Sequence, residues 1–199
     1  MKRTFFLSIL LWLFAPAVFA QSLDHINVGV FGNNFQLSDS SIDLAGVGAR
    51  VSFHFLPLMQ LEAESSYNFE GAYSQGFNDA NGTLTLARTH VRSLDGLAGP
   101  KIYIPLGRFH LSTVRVFATA KGGFINFNIN NNPAVTVDTV SSTFYGLNGS
   151  NVFGVFYPGG GAEAFWGPIG VRVDVGDEIF YNNGAHNNLR VSFGPTIRF

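Results

Sequence analysis

The stretch Leu189–Phe199 reads LRVSFGPTIRF. Strand side chains point alternately to opposite faces. One face of this stretch is Leu189, Val191, Phe193, Pro195, Ile197 and Phe199, and the other is Arg190, Ser192, Gly194, Thr196 and Arg198. The apolar face has no polar tail after it, because the sequence stops on Phe199. A strand of this kind is expected to close a sheet by pairing with the first strand, its apolar side turned toward lipid.

Composition points the same way. Of 199 residues 46% are hydrophobic and only 13% charged, against about 25% charged in ordinary soluble domains. Phe (21) and Gly (23) are heavily used, a mix that suits strands joined by many turns. The absence of Cys excludes disulfides, a thiol nucleophile, Cys-bound zinc and an acylated lipoprotein Cys. The formal charge is -1. Nothing in that balance suggests a nucleic-acid partner.

The first twenty residues read as a cleaved signal peptide. Lys2 and Arg3 give a positive start, Thr4–Phe14 is apolar, Pro16 breaks the run, and Val18-Phe19-Ala20 has small residues where cleavage requires them. The expected domains are a leader at 1–20 and one barrel at 21–199. The mature chain has no later apolar run long enough for a spanning helix, so any membrane crossing is by strands.

Eight alternating segments follow. They are Ile26–Phe35, Leu44–Leu56, Met59–Phe69, Thr89–Ile104, Thr113–Phe127, Asn151–Phe165, Ile169–Gly176 and Leu189–Phe199. A phase slip is expected near Arg92, since Val91 is out of step with Leu94, Gly96 and Ala98. Phe117 falls on the charged parity of the fifth segment, and Pro158-Gly159-Gly160-Gly161 is expected to interrupt the sixth. Connections near 57, 106–111 and 167 are short, whereas 37–43, 70–87, 128–150 and 178–188 read as longer polar loops. Short turns alternating with long loops, on an even number of strands, predict an all-β, eight-stranded antiparallel up-and-down transmembrane β-barrel. Interface aromatics are expected at Tyr67, Phe69, Tyr103, Trp166, Phe180 and Phe199.

With the apolar parities outside, the lumen collects Arg50, His54, Glu62, Glu64, Asp95, Lys101, Arg115, Lys121, Glu163, Arg172, Asp174 and Arg190. An eight-stranded barrel is just wide enough for its side chains to fill. Unpaired charges there are costly and paired ones tolerable, so a near-balanced ion-pair network is expected. Gly46, Gly48, Gly99, Gly161 and Gly194 would make room for the long Arg and Lys side chains. Narrow ion conduction along this polar interior is the alternative use of it.

The sequence resembles the OmpA/OmpX-like outer-membrane barrels. The likeness rests on Gly99-Pro100-Lys101 before Ile102-Tyr103-Ile104, on Pro158–Gly161 before Glu163, and on the terminal strand ending in Phe. The resemblance implies a Gram-negative outer-membrane location and contact with lipid bilayer and lipopolysaccharide. It also implies an assembly signal at Val191, Phe193, Ile197 and Phe199, read by the barrel-assembly machinery. Pro195 departs from an all-apolar closing strand and removes one ladder donor. No segment corresponds to the peptidoglycan-binding domain of larger members, so that activity is not expected.

Catalysis is not expected. Some barrels of this size are lipid A deacylases or acyltransferases, which need Ser and His in reach of each other. Here the residue two after His186 is Asn188, Ser52 precedes His54, and Ser112 after His110 sits in a short turn. The five His, His25 and His90 among them, read as loop or interface residues. No metal-ligand spacing occurs, and no cofactor is implied. A soluble lipocalin-type binder is the remaining alternative, with the apolar face inside; the low charge content argues against it. The expected function is structural or surface-interacting, with an unidentified ligand at the loops.

Overall fold

The computed structural model describes residues 26–38, 42–56, 58–78, 84–104, 114–132 and 149–199. The leader, the turn with His110 and Ser112, and His25 lie outside these residues. The strands are β1 Ile26–Leu37, β2 Ile42–Leu56, β3 Met59–Asn78, β4 Leu84–Ile104, β5 Val114–Asn132, β6 Gly149–Trp166, β7 Ile169–Asp177, β8 Ile179–Tyr181, β9 Ala185–His186 and β10 Asn188–Arg198. Neighbours in sequence pair antiparallel from β1 to β7, β7 pairs with β10, and β10 pairs with β1. The sheet therefore closes on itself. At the join, the Phe199 N–H donates to Ile26 O at 2.9 Å.

β8 and β9 are not extra staves. Phe180↔His186 and Tyr181↔Ala185 continue the register of Leu189↔Asp177, and Phe180↔Val155 continues that of β7 on β6. β7–β8 and β9–β10 are thus the two arms of one hairpin, and the wall has eight strands. Its tip turns at Asn183, which takes a left-handed φ of 52° that asparagine tolerates. Followed round the wall, Gly29 leads through Arg50, Glu64, Leu97, Gly123, Val155 and Phe180 to His186. His186 lies two residues beyond Asn188, the partner of Leu37. The circuit closes about ten residues along β1, a shear that tilts the strands by roughly 40°.

Several sequence expectations are corrected. The 70–87 and 128–150 segments are largely strand among the described residues, because β3 runs on to Asn78, β4 starts at Leu84, β5 reaches Asn132 and β6 starts at Gly149. The phase slip lies on β3, where Phe69 and Glu70 stand against the single residue Arg92 between Asn68↔Ser93 and Gly71↔Val91. β4 keeps its alternation, and Val91 is buried inside. Pro158–Gly161 does not break β6, since each of these residues pairs with β5. The 178–188 segment contains β8 and β9. Tyr103 and Phe180 are interior side chains, at 6% and 0% exposure, rather than interface aromatics.

The outer surface is apolar. Val28, Val30, Val47, Phe53, Leu61, Leu94, Ile102, Phe124, Ile169, Val173, Val191, Phe193 and Ile197 all stand exposed on it. Along β2 the outward positions Ala45, Val47, Ala49, Val51, Phe53 and Phe55 are all apolar. At about 3.3 Å per residue and a tilt of about 40° this band is roughly 25 Å tall. Among the described residues the outward charged side chains Asp43, Glu70, Arg92 and Asp177 lie above it, at the hairpin end. Tyr67, Phe69 and Tyr181 edge the band at that end and Trp166 at the other.

Candidate functional site in the barrel interior

The inward parity of every strand faces a narrow lumen, and the two ends of that lumen are built differently. At the turn end, Tyr103 donates its hydroxyl to Glu163 Oε1 in a short hydrogen bond. Lys101 Nζ is 3.2 Å from Glu163 Oε2. Arg115, half-buried, lies over the Tyr103 ring at 5.4 Å, and half-buried His54 stacks on the same ring at 6.0 Å.

At mid-height Glu62 is the hub. Arg172 grips it with two guanidinium nitrogens, at 2.5 and 2.9 Å. Lys121 Nζ is 2.7 Å from one of its oxygens and Lys101 Nζ 3.5 Å from the other. A forked guanidinium–carboxylate pair is the strongest such geometry available. The Arg172 Nε also donates to Asp174 Oδ2 at 3.0 Å. Arg50 reaches the same Asp174 oxygen at 2.5 Å, and Ser192 donates to the other at 2.7 Å.

Lys121 then links to Glu64 at 2.7 Å. Arg190 faces three carboxylates, Glu64 at 3.2 Å, Asp95 at 3.6 Å and Glu178 at 3.1 Å. Asp95 accepts from the Ser66 backbone N–H at 3.2 Å and from the Ser66 hydroxyl. Aromatic faces fill between the charges: Phe31 carries Arg50 at 4.1 Å, and Phe117 carries Arg172 at 4.3 Å. Phe117 on the charged parity of β5 is therefore a stacking partner and marks no shift of register.

Above the charges lies a neutral polar row. Asn33, Gly46, Asn68 and Ser93 are register neighbours on β1, β2, β3 and β4. Asn33 donates to Asn68 across Gly46 at 2.7 Å, and Asn68 donates to Ser93 at 2.9 Å. A Cβ on Gly46 would collide with both amides. Beyond this row the lumen is apolar, filled by Phe35, Leu37, Leu44, Val91, Ile125, Phe127, Val155 and Phe180, and the cluster reaches down to Leu97, the register neighbour of Glu64. Phe180 packs on Phe127 at 5.2 Å and Phe153 at 5.8 Å, with His186 stacked on it at 5.0 Å. Asn188 pins the hairpin base, its amide donating to Glu178 O and His186 O at 3.0 Å.

All twelve sequence-derived lumen residues lie on the inner parity. Arg50, Glu62, Glu64, Asp95, Lys101, Lys121, Glu163, Arg172, Asp174 and Arg190 are buried, and His54 and Arg115 are half-buried toward the turn end. Of the four proposed assembly residues, Val191, Phe193 and Ile197 are exposed on the outer wall and Phe199 is half-buried at the join. Sequence reasoning missed Glu178, which makes the interior six cations against six carboxylates. It was legible as parity, because the inward series Arg172, Asp174, Gly176 continues to Glu178 and Phe180. It also missed the apolar cluster. The lumen glycines mostly admit groups other than Arg or Lys: a Cβ on Gly48 would meet the Phe31 ring and Ser65 O, and one on Gly46 the two amides. Among the described residues no three His, Asp or Glu gather as a metal site.

No protein-family model and no curated protein matches the chain. Among solved structures it is similar to Ail, the attachment invasion locus protein of Yersinia pestis, in complex with the heparin analogue sucrose octasulfate. That likeness has 12% identity, covers 88% of this chain and 97% of that one, and has a TM-score of 0.49. It is similar to a de novo designed transmembrane β-barrel at 12% identity, over 90% and 98% of the two chains, with a TM-score of 0.47. It is similar to Neisserial surface protein A at 10% identity, over 88% and 96%, with a TM-score of 0.47. At these identities the likeness concerns the fold alone.

Proposed function

We propose that the chain is an exported, integral outer-membrane β-barrel of the surface-interaction kind, and not an enzyme. One observation carries this reading: the barrel is inside out by the standard of a soluble protein. Arg190 and Glu62 are fully buried in the lumen while Phe193 and Val30 stand 61% and 58% exposed on an uncharged band. A band of this height matches the hydrocarbon thickness a barrel spans, and a closed sheet leaves no unpaired edge in lipid. A lipocalin-type barrel would have the opposite polarity. Residues 1–20 serve as the leader, and the closing strand with Val191, Phe193, Ile197 and Phe199 is what the assembly machinery reads.

The lumen is a plug. Its charges neutralise one another over the turn-side half and the apolar cluster seals the hairpin end, which supports a scaffold that holds the long hairpins outside the cell for contact with lipopolysaccharide or another surface. The test is membrane extraction with conductance. The protein should resist alkaline extraction from outer membranes, run faster on gels unboiled than boiled, and give silent planar bilayers when refolded. Recovery as a soluble monomer without detergent overturns the membrane reading, and steady single-channel currents overturn the plug.

A further inference from the structure

β1 and β10 keep one register from Asn27↔Arg198 to Leu37↔Asn188, but two pairs are missing in the middle, at Val30–Phe31 against Gly194–Pro195. Ile26 and Phe199 exchange backbone hydrogen bonds, so every second pair from there is of the bonded kind, which includes Val30 with Pro195. Pro195 has no N–H to give the Val30 carbonyl. At this same place the outer wall has a hollow of about 430 Å³, lined by Val30, Phe31, Gly32, Val47, Gly48 and Pro195. Gly32 points outward and forms its floor, and a Cβ there would meet nothing closer than Gly46 O at 3.9 Å.

We propose that this hollow binds one saturated acyl chain of a membrane lipid and holds it against the seam between the first and last strands. The proposal rests on the membrane reading above. The lining is hydrocarbon or glycine throughout, so it offers no side-chain donor or acceptor to a sugar, phosphate or hydroxyl. Strands are about 4.8 Å apart, so the side chains on β10 and β2 that flank Gly32 on β1 stand about 10 Å apart. That is the width of one hydrocarbon chain between two side chains. The hollow is open to the outside within the apolar band, and a chain lying in it gains dispersion contacts with the lining that a poorly fitted one forgoes. Selection comes from shape, since lipid tails and wall are equally apolar and only packing distinguishes them. A chain seated there also braces the wall where two ladder pairs are absent.

The experiment compares wild type, Gly32→Leu and Gly154→Leu, each folded in detergent and titrated with dipalmitoyl phosphatidylethanolamine, with retained lipid counted by native mass spectrometry. Gly154 is the control, because it has open space around it at a different site on the wall. Wild type and Gly154→Leu should each retain one lipid, and Gly32→Leu should retain at least fivefold less because its side chain occupies the hollow. Gly32→Leu should also melt higher than wild type in lipid-free detergent. If Gly32→Leu does not give the unboiled fast-migrating band, Gly32→Ala replaces it with a smaller loss expected. Equal retention by the Gly32 variant and wild type, or none by wild type, overturns the proposal. A wild type that stays monomeric without detergent would instead overturn the membrane reading beneath it.

Discussion

Glu62 shows how a charge is kept inside a barrel. Its two oxygens are shared by Arg172, Lys121 and Lys101, and it is fully buried. Removing one member of such a group leaves the others uncompensated in a poorly solvated place, at a cost of about 3–5 kcal/mol. Glu62→Leu should therefore lower stability by that amount, read by urea unfolding of the folded protein in micelles. A loss below about 1 kcal/mol would mean that water reaches the lumen and screens the cations. The pairs that form are not those the wall offers first. Arg172 sits beside Glu163 in the β6–β7 register, yet its forked contact is with Glu62 on β3.

At the level of elements, the β7–β10 hairpin and the closing strand are each under a separate local constraint. The hairpin tip is held by Phe180 against Phe127 and Phe153 and by the Asn188 hydrogen bonds. Phe180→Ala should free it as a unit: amides at 179–187 should exchange much faster while those of β7 stay protected. Equal loss of protection in both would mean the tip is part of the barrel's global unfolding. On the closing strand, Pro195→Val restores a donor opposite Val30 and should add about 1 kcal/mol, measured by the same urea titration. No gain would show that Gly194 or another group already satisfies the carbonyl. The glycine run of β6 belongs at this scale too. It looks like a breaker in sequence, yet a Cβ on Gly159 would meet the Tyr157 ring, and one on Gly161 the Val173 carbonyl of β7. The run admits these close neighbours without ending the strand.

For the whole molecule, the decisive property is where polarity sits. Phe193 lies mid-band, and Phe193→Arg should cost about 2–4 kcal/mol for the barrel folded in vesicles. A change near zero would place that face in water. The fold was legible in sequence because two periods coincided: alternation within segments, and alternation of short with long connections. Much of what was not legible among the elements came from one cause. Polar composition looks like loop, so strand extensions such as Glu70–Asn78 and Asn128–Asn132 carry no strand signal of their own. A strand protruding beyond an apolar band needs no hydrophobic face, and only its hydrogen-bonded partner identifies it.

By itself the sequence determined the strand alternation and the parity of each charge. These follow from the two-residue period of extended backbone, which is local. Only the tertiary structure decided which charges pair, because partners such as Arg50 and Asp174 are 124 residues apart and meet across the lumen. It also decided that Glu178 completes the balance, that the hairpin end is sealed by hydrocarbon, and that Pro195 interrupts the seam beside a hollow. Each of these depends on the shear and closure of the wall, which set the height at which side chains from distant strands face one another.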